Sequence, residues 1–124
     1  METHAPHKIK EVELSSATRE ALENLRGKYE ITTFSAKWCT NCPYAKKVVA
    51  AFCKAAPDHL SYKVVDVDRE KVDYSVWPIL KRGRVLLPAV GVPTDGKARV
   101  LFTTRDLERR LLELLRGLDS EAGE

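Results

Sequence analysis

Two cysteines, Cys39 and Cys42, enclose Thr40 and Asn41 in the run Trp38-Cys-Thr-Asn-Cys-Pro43. A pair at this spacing can ligate metal or close reversibly into a disulfide, and the flanking sequence bears on which. Upstream, Ile31-Thr-Thr-Phe-Ser-Ala36 is rich in β-branched and aromatic residues and short enough for a strand. Downstream, from Cys42 to Ala56, Ala45, Val48, Val49 and Phe52 recur at helical spacing, with Pro57 and Asp58 as terminators. A cysteine at such a junction meets the unpaired N–H groups and the positive dipole end of a helix, both of which favour thiolate over thiol. Cys39 is therefore expected as an exposed, attacking thiolate. Cys42, one turn inward and within disulfide reach, is expected as the protected resolving thiol. The competing chemistry is structural zinc, which takes four protein ligands, and no second CxxC or HxxxH is present. His59 and Cys53 do not stand at a recognisable ligand spacing. A metal or cluster shared between two chains stays open as an alternative.

The other chemically capable residues have plainer readings beside them. Cys53 follows Cys42 by eleven residues, about three helical turns, so it shares a helix face and reads as a small core residue. Trp38 is placed to shield Cys39 and touch a substrate, whereas Trp77, just before Pro78, reads as packing. Lys37 could favour a thiolate at Cys39, although a loop lysine is usually solvated. Lys81-Arg82-Gly83-Arg84 reads as a solvated basic turn before partner recognition. Asp66 and Asp68 close a predicted strand and read as capping or solvated groups. His4 and His7 fall in a polar tail with no evident role.

The rest of the chain sets bounds. At 124 residues it is one domain in length, and 44% apolar residues suit a folded core. Twenty-one Lys and Arg against 18 Asp and Glu give +3, too small an excess to argue for nucleic acid. No apolar run approaches the roughly 20 residues that span a bilayer. Met1–Lys10 has no apolar core of a signal peptide, so a cytoplasmic location is expected. Three cysteines are too few and odd in number for a disulfide-stapled secreted scaffold. The absence of Gln, two Asn, one Met and 31% charged residues resemble the composition of thermophile proteins.

Positioning the motif requires further elements. Ile9–Leu14 predicts a short strand. Ser15 or Ser16 caps a helix carrying Ala17, Ala21, Leu22 and Leu25, with Gly27 placed to end it. Ser61–Asp68, with Tyr62, Val64, Val65 and Val67, predicts a strand covered on at least one face. Pro78 to Arg82 predicts a short helix with proline in its first turn and Gly83 as its stop, and Arg69 to Val76 before it predicts another helical turn. Strands at 85–90 and 98–102 flank Asp95-Gly96, a hairpin signal. Thr104 can cap a last helix with a Leu107, Leu111, Leu114, Leu115 and Leu118 stripe. The predicted order is β-α-β-α-β-α-β-β-α, an α/β fold with a central mixed β-sheet and helices on both faces. Residues 1–8 read as a tail, 9–118 as the domain and 119–124 as a fraying acidic tail.

The strand Ile31–Ala36, the motif Trp38-Cys39-Thr-Asn-Cys42, the helix after it and the later Pro88 together resemble the thioredoxin superfamily, over nearly the whole chain from about Ile9 to Leu118. The resemblance implies a thioredoxin-like fold and dithiol–disulfide exchange on protein disulfides, with Cys39 as nucleophile and Cys42 resolving. In that family a cis proline faces the cysteine pair, and the residue before it offers its backbone to substrate. Pro88 and Leu87 take those places here, joined by Trp38 as the substrate-binding set. Pro93, in Gly91-Val-Pro-Thr94, is the rival proline, but it leaves no room for a strand before Gly96. The implied partners are a protein disulfide substrate and a thiol or flavoprotein reductase as electron donor, with no cofactor or metal, no nucleic acid and no membrane. Such a monomer would serve cellular redox homeostasis and electron transport. Three departures stand out. Thioredoxins carry a buried carboxylate six residues before the first cysteine, where this chain has Thr33. Their Gly-Pro between the cysteines is Thr40-Asn41 here. Cys42-Pro43-Tyr44-Ala45 is also similar to a glutaredoxin's Cys-Pro-Tyr-Cys with its last cysteine lost, which would make Cys42 the nucleophile of a glutathione-dependent monothiol enzyme. A binding module with idle or metal-holding cysteines is the remaining alternative.

Overall fold

Ser15 accepts a hydrogen bond from the Thr18 amide through its hydroxyl at 3.2 Å and opens α1 (Ser16–Glu23). After it come β1 (Tyr29–Ser35), α2 (Cys42–Ala55), β2 (Leu60–Asp66), β3 (Leu80–Lys81), β4 (Arg84–Val85), β5 (Ala89–Val92), β6 (Arg99–Leu101) and α3 (Leu107–Ala122). The computed structural model describes residues 12–94, 98–102 and 105–122. The expected Asp95-Gly96 turn, the Thr104 cap, His4 and His7 lie outside these.

The strand leading to the cysteines is the centre of the sheet. β1 pairs in parallel with β2, from Tyr29↔Leu60 to Ser35↔Asp66, the crossover being supplied by α2. On its other side it pairs antiparallel with β5, Thr32 opposite Gly91 and Phe34 opposite Ala89. β6 adds antiparallel to β5, for a strand order β2-β1-β5-β6. The expected mixed α/β architecture is thus present. Residues Ile31 to Ser35 are all buried, so both faces of β1 are covered.

Strand alternation divides two cores. Ile31, Val90 and Val92 join Leu22 of α1, Val48, Val49 and Phe52 of α2, and Leu107, Leu111 and Leu115 of α3 in one cluster. Phe34 and Ala89 point the other way and join Val65 and Ile79, with Val72, Tyr74, Trp77, Val85 and Leu87 packed around them. All three described helices contribute to the first cluster only. The second face is covered by the segment between β2 and β5 rather than by a helix.

Several expected elements differ. The helix predicted from Pro78 to Arg82 is a two-stranded ribbon: Leu80 pairs with Val85 and Lys81 with Arg84. Its two-residue turn places Arg82 at φ 53 and Gly83 at φ 76, the both-positive pattern of a tight hairpin. A glycine after a basic residue reads equally as a helix stop or as the second residue of this turn. Upstream, turns form at Asp66–Glu70 and Asp73–Trp77, the Glu70 and Trp77 amides each donating at 2.9 Å to the carbonyls of Asp66 and Asp73. The expected strand at 9–14 is not a strand in its described part. Leu14 is buried and Val12 packs on the helix-side core instead. α1 stops at Glu23 with Asn24 as its cap, not at Gly27. With 123–124 outside the described residues, the expected fraying is corrected over 119–122, since α3 runs on to Ala122 and Asp119 is buried. Its carboxylate accepts from the Arg26 and Gly27 amides at 3.0 and 2.9 Å and from the Tyr29 hydroxyl at 2.8 Å, which holds the helix end down.

Candidate active site

β1 ends at Ser35, and the chain turns with the Cys39 amide donating to the Ala36 carbonyl at 3.1 Å. α2 then begins at Cys42. Asn41 occupies its cap position without a side-chain hydrogen bond, and Pro43 falls in the first turn, where its missing N–H costs nothing. The cap side chain therefore does not compete for the first-turn amides. Cys39 and Cys42 are joined as a disulfide with Cα atoms 5.5 Å apart, within the usual range for a cystine. Cys39 is 9% exposed and Cys42 1%. The asymmetry has the expected sense, but Cys39 is more covered than expected, because the disulfide draws it against the start of α2. The Cys42 Sγ lies 3.6 Å from the Phe34 carbonyl oxygen. A cystine sulfur has no proton to donate, so this contact becomes a hydrogen bond only in the thiol.

Trp38 stands in solvent, 59% exposed, yet it is not free: its Nε1–H donates to Asp68 Oδ2 at 3.1 Å. The loop after β2 is braced for this role. The Val67 amide donates to the Ser35 carbonyl at 3.0 Å, and the Asp68 amide to Asp66 Oδ1 at 3.0 Å. Asp66 caps locally, in line with expectation. Asp68 instead orients the indole, a role that sequence reasoning missed.

The Leu87–Pro88 peptide bond is cis. Ala89 pairs with Phe34, so Leu87 and Pro88 sit at the end of the sheet where β1 delivers the cysteine motif. Leu87 is half-buried and Pro88 buried. Pro93 lies past Val92, at the other end of β5, and no other cis bond occurs among the described residues. The fold thus brings Trp38, Cys39, Cys42, Leu87 and Pro88 to one end of the sheet.

Other singled-out residues fall elsewhere or do something plainer. Thr33 is fully buried, and its Oγ1 has no hydrogen-bond partner. Cys53 is a free, buried thiol, pushed up to about 11 by burial. Trp77 meets Phe34 edge-on, ring centroids 4.9 Å apart, and so packs as expected. His59 places Nδ1 3.0 Å from the Gly27 carbonyl, at the far end of the sheet. Lys37 is exposed. Lys81 extends over the Phe102 ring, Nζ 5.9 Å from its centre. Among the described residues no group of three or more His, Cys, Asp or Glu side chains is arranged to hold a metal ion, and no described helix is long and apolar enough to cross a membrane.

The sequence matches no protein-family model and no curated protein. Solved structures do resemble the fold. A protein disulfide oxidoreductase from Aeropyrum pernix k1 superposes with a TM-score of 0.57 at 22% identity, over 84% of this chain and 44% of that one. The present chain thus spans less than half of that protein. A thioredoxin variant from Halobacterium salinarum NRC-1 superposes with a TM-score of 0.51 at 19% identity, over 94% of this chain and 95% of that one. At these identities the likeness speaks for architecture alone. With the sheet order and the strand-to-helix cysteine pair, it makes the fold of this chain thioredoxin-like.

Proposed function

We propose that the chain is a thiol–disulfide oxidoreductase acting on protein disulfides. The observation that carries this reading is a Cys39–Cys42 disulfide at a strand-to-helix junction, at the same sheet end as the cis Leu87–Pro88 bond. In the reducing direction, the Cys39 thiolate attacks one sulfur of a substrate disulfide, and the other sulfur leaves as a thiolate that takes up a proton. Cys42 then gives up its proton and attacks the Cys39 sulfur of the mixed disulfide, releasing the second substrate thiol. Two electrons and two protons pass to the substrate, and the Cys39–Cys42 disulfide remains until a thiol or flavoprotein reductase resets it. The greater exposure of Cys39, 9% against 1%, supports giving it the attack rather than Cys42, as monothiol chemistry would require. The uncapped first turn of α2 supports a stabilised thiolate. Leu87 would pair its backbone with an extended substrate segment while Trp38 covers it. The reaction as written uses no bound cofactor, and its proposed setting is the cytoplasm, with the chain acting as a monomer.

The test is a redox titration in glutathione buffers, with free thiols trapped by alkylation and counted by mass. Cys39 and Cys42 are expected to pass together into one disulfide at a definite potential. Cys39→Ser is expected to abolish reduction of a protein disulfide, and Cys42→Ser to accumulate a mixed disulfide through Cys39. If no reversible Cys39–Cys42 disulfide forms and Cys39→Ser leaves partner binding intact, the dithiol reading fails and a docking module replaces it, whereas turnover that survives Cys39→Ser and is lost in Cys42→Ser replaces it with monothiol chemistry.

A further inference from the structure

The ribbon of β3 and β4 carries two local conflicts. Lys81 and Arg84 stand directly opposite each other in register, and like charges so placed repel. Between them Arg82 takes φ 53, a left-handed conformation that suits Asn or Gly better than arginine. All three cations are exposed, and among the described residues none has an acidic partner. Lys81 instead lies over the Phe102 ring. Neutral residues would form the same turn without the repulsion, and conflicts of this kind gather where a protein binds or reacts. The ribbon adjoins the candidate active site. Ile79 at its base is fully buried with Phe34 and Ala89, and the Leu86 amide donates to the Ile79 carbonyl at 2.8 Å. Leu87 and Pro88 follow directly. Leu101 of β6 pairs with Val90, which puts Phe102 beside the Ala89 end of β5. Across the sheet, one end thus carries Trp38 with Asp68, the cysteine pair, Leu87 with Pro88, and Phe102 with Lys81.

We infer that the ribbon is a docking arm that favours protein disulfides bearing an acidic segment close to the attacked cysteine. The inference rests on the proposed exchange reaction and names its substrate class. Adjacent strand ends lie about 4.8 Å apart, and an extended chain advances about 3.3 Å per residue. A substrate segment laid across Leu87 from Cys39 therefore reaches Phe102 about three residues from its own cysteine, and the long cationic side chains extend that reach by a residue or two. Asp or Glu there pairs with Lys81, Arg82 and Arg84, the guanidinium groups offering two parallel donors to each carboxylate. The exposed side chains of Leu80 and Phe102 supply apolar contact beside these pairs. Because the cations lie in solvent, they act mainly on encounter and orientation, and salt screens them.

The test mixes the reduced full chain with two synthetic peptides, each holding one internal disulfide. They are identical except that Asp in one and Asn in the other occupies the positions about three to five residues outside each cysteine. Exchange leaves the peptide as a dithiol and the protein as the Cys39–Cys42 disulfide, so alkylation and mass follow both. At low salt the Asp peptide is expected to react about tenfold faster. In about 1 M NaCl, where the screening length is about 3 Å, the two rates are expected to agree within about twofold. Arg82→Asn combined with Arg84→Thr, which puts Asn-Gly in the turn, is expected to erase the preference and leave the Asn peptide's rate unchanged. Lys28→Gln combined with Lys54→Gln removes the same charge before β1 and near the end of α2, away from the site, and is expected to keep the preference. Equal rates on the two peptides, or a ribbon variant that slows both alike, overturn the inference and leave the exchange reading standing. Should the ribbon variant fail to fold, the parent chain decides: a preference that survives about 1 M NaCl is not made by charge and overturns the inference. A parent chain that exchanges with neither peptide, in either direction, overturns both.

Discussion

An indole left 59% exposed, with its N–H held by a carboxylate, is an apolar surface kept in one orientation. Trp38 has this arrangement because Asp68 reaches it from the loop after β2. The bond lies in solvent, so it contributes little to folding, and its effect is to fix the orientation of the ring next to Cys39. Asp68→Ala is expected to change unfolding free energy by less than about 0.5 kcal/mol. It is expected to slow exchange with a protein disulfide severalfold while leaving exchange with a small, linear disulfide unchanged. Paired rate measurements on the two substrates check this, and equal slowing of both would mean that Asp68 acts on Cys39 rather than on docking. At this scale the sequence was legible where chemistry depends on neighbours in the chain. Trp38, Cys39 and Cys42 are adjacent, and the choice of Pro88 over Pro93 followed from the room each leaves for a strand. The Asp68 bond spans 30 residues and depends on the pairing of β1 with β2, which no local pattern encodes.

Two carboxylates on α3, Glu108 and Asp119, are eleven residues apart, three turns, and so share one face. They clasp α1 at both of its ends. Glu108 Oε2 accepts from the Thr18 hydroxyl at 2.6 Å and the Ser15 amide at 3.2 Å, whereas Asp119 takes the Arg26 and Gly27 amides and the Tyr29 hydroxyl past the other end. Burial alone would raise both carboxyls. The donated hydrogen bonds outweigh it and hold both below their usual range. Across the same bond the Tyr29 phenol is raised to about 12, by burial first and then by Asp119. A carboxyl depressed in the fold contributes stability above its unfolded pKa, near 4, and loses it as pH falls through the folded value. A phenol raised in the fold contributes below about 10 and loses it as pH rises toward about 12. Asp119→Asn is therefore expected to cost about 1.5–3 kcal/mol at pH 7 and to flatten the acid limb of the stability curve. Urea unfolding between pH 2 and 8 measures both. A variant whose stability falls in parallel with the parent chain below pH 4 would show that Asp119 does not supply that limb. The sequence presents these residues as a helix stripe followed by an acidic tail. That the tail is an anchor depends on the register of α3 against α1, which is a tertiary fact.

Across the whole molecule, alternation of strand and helix signals made the mixed sheet legible, because each element carries its own period. The cover of the second face carries none. Val72, Tyr74, Trp77, Ile79 and Val85 join the cluster of Phe34 from loop, turn and a two-residue ribbon, segments too short for a helical or strand period to be read, so the pattern at 78–82 reads locally as a helix. The three cysteines divide along the same architecture. Cys39 and Cys42 sit where β1 hands over to α2, at the end of the sheet, while Cys53 lies in the helix-side core, 8% exposed, its thiol pushed up to about 11 by burial. At pH 8 a thiol of that kind is ionised to only about one part in a thousand, against roughly a quarter for an ordinary cysteine. Alkylating reagents need the thiolate and also need access, and Cys53 has neither until its packing against Leu14, Leu22 and Phe52 opens. In reduced protein, Cys39 is therefore expected to be labelled first and Cys53 last. The Cys53 rate should rise with urea along the slope measured for global unfolding. Mass-resolved alkylation across a urea series reads both rates at once. If Cys53 were labelled at a urea-independent rate, α2 would be opening locally near its C-terminal end, and the helix-side core would not be a single cooperative unit.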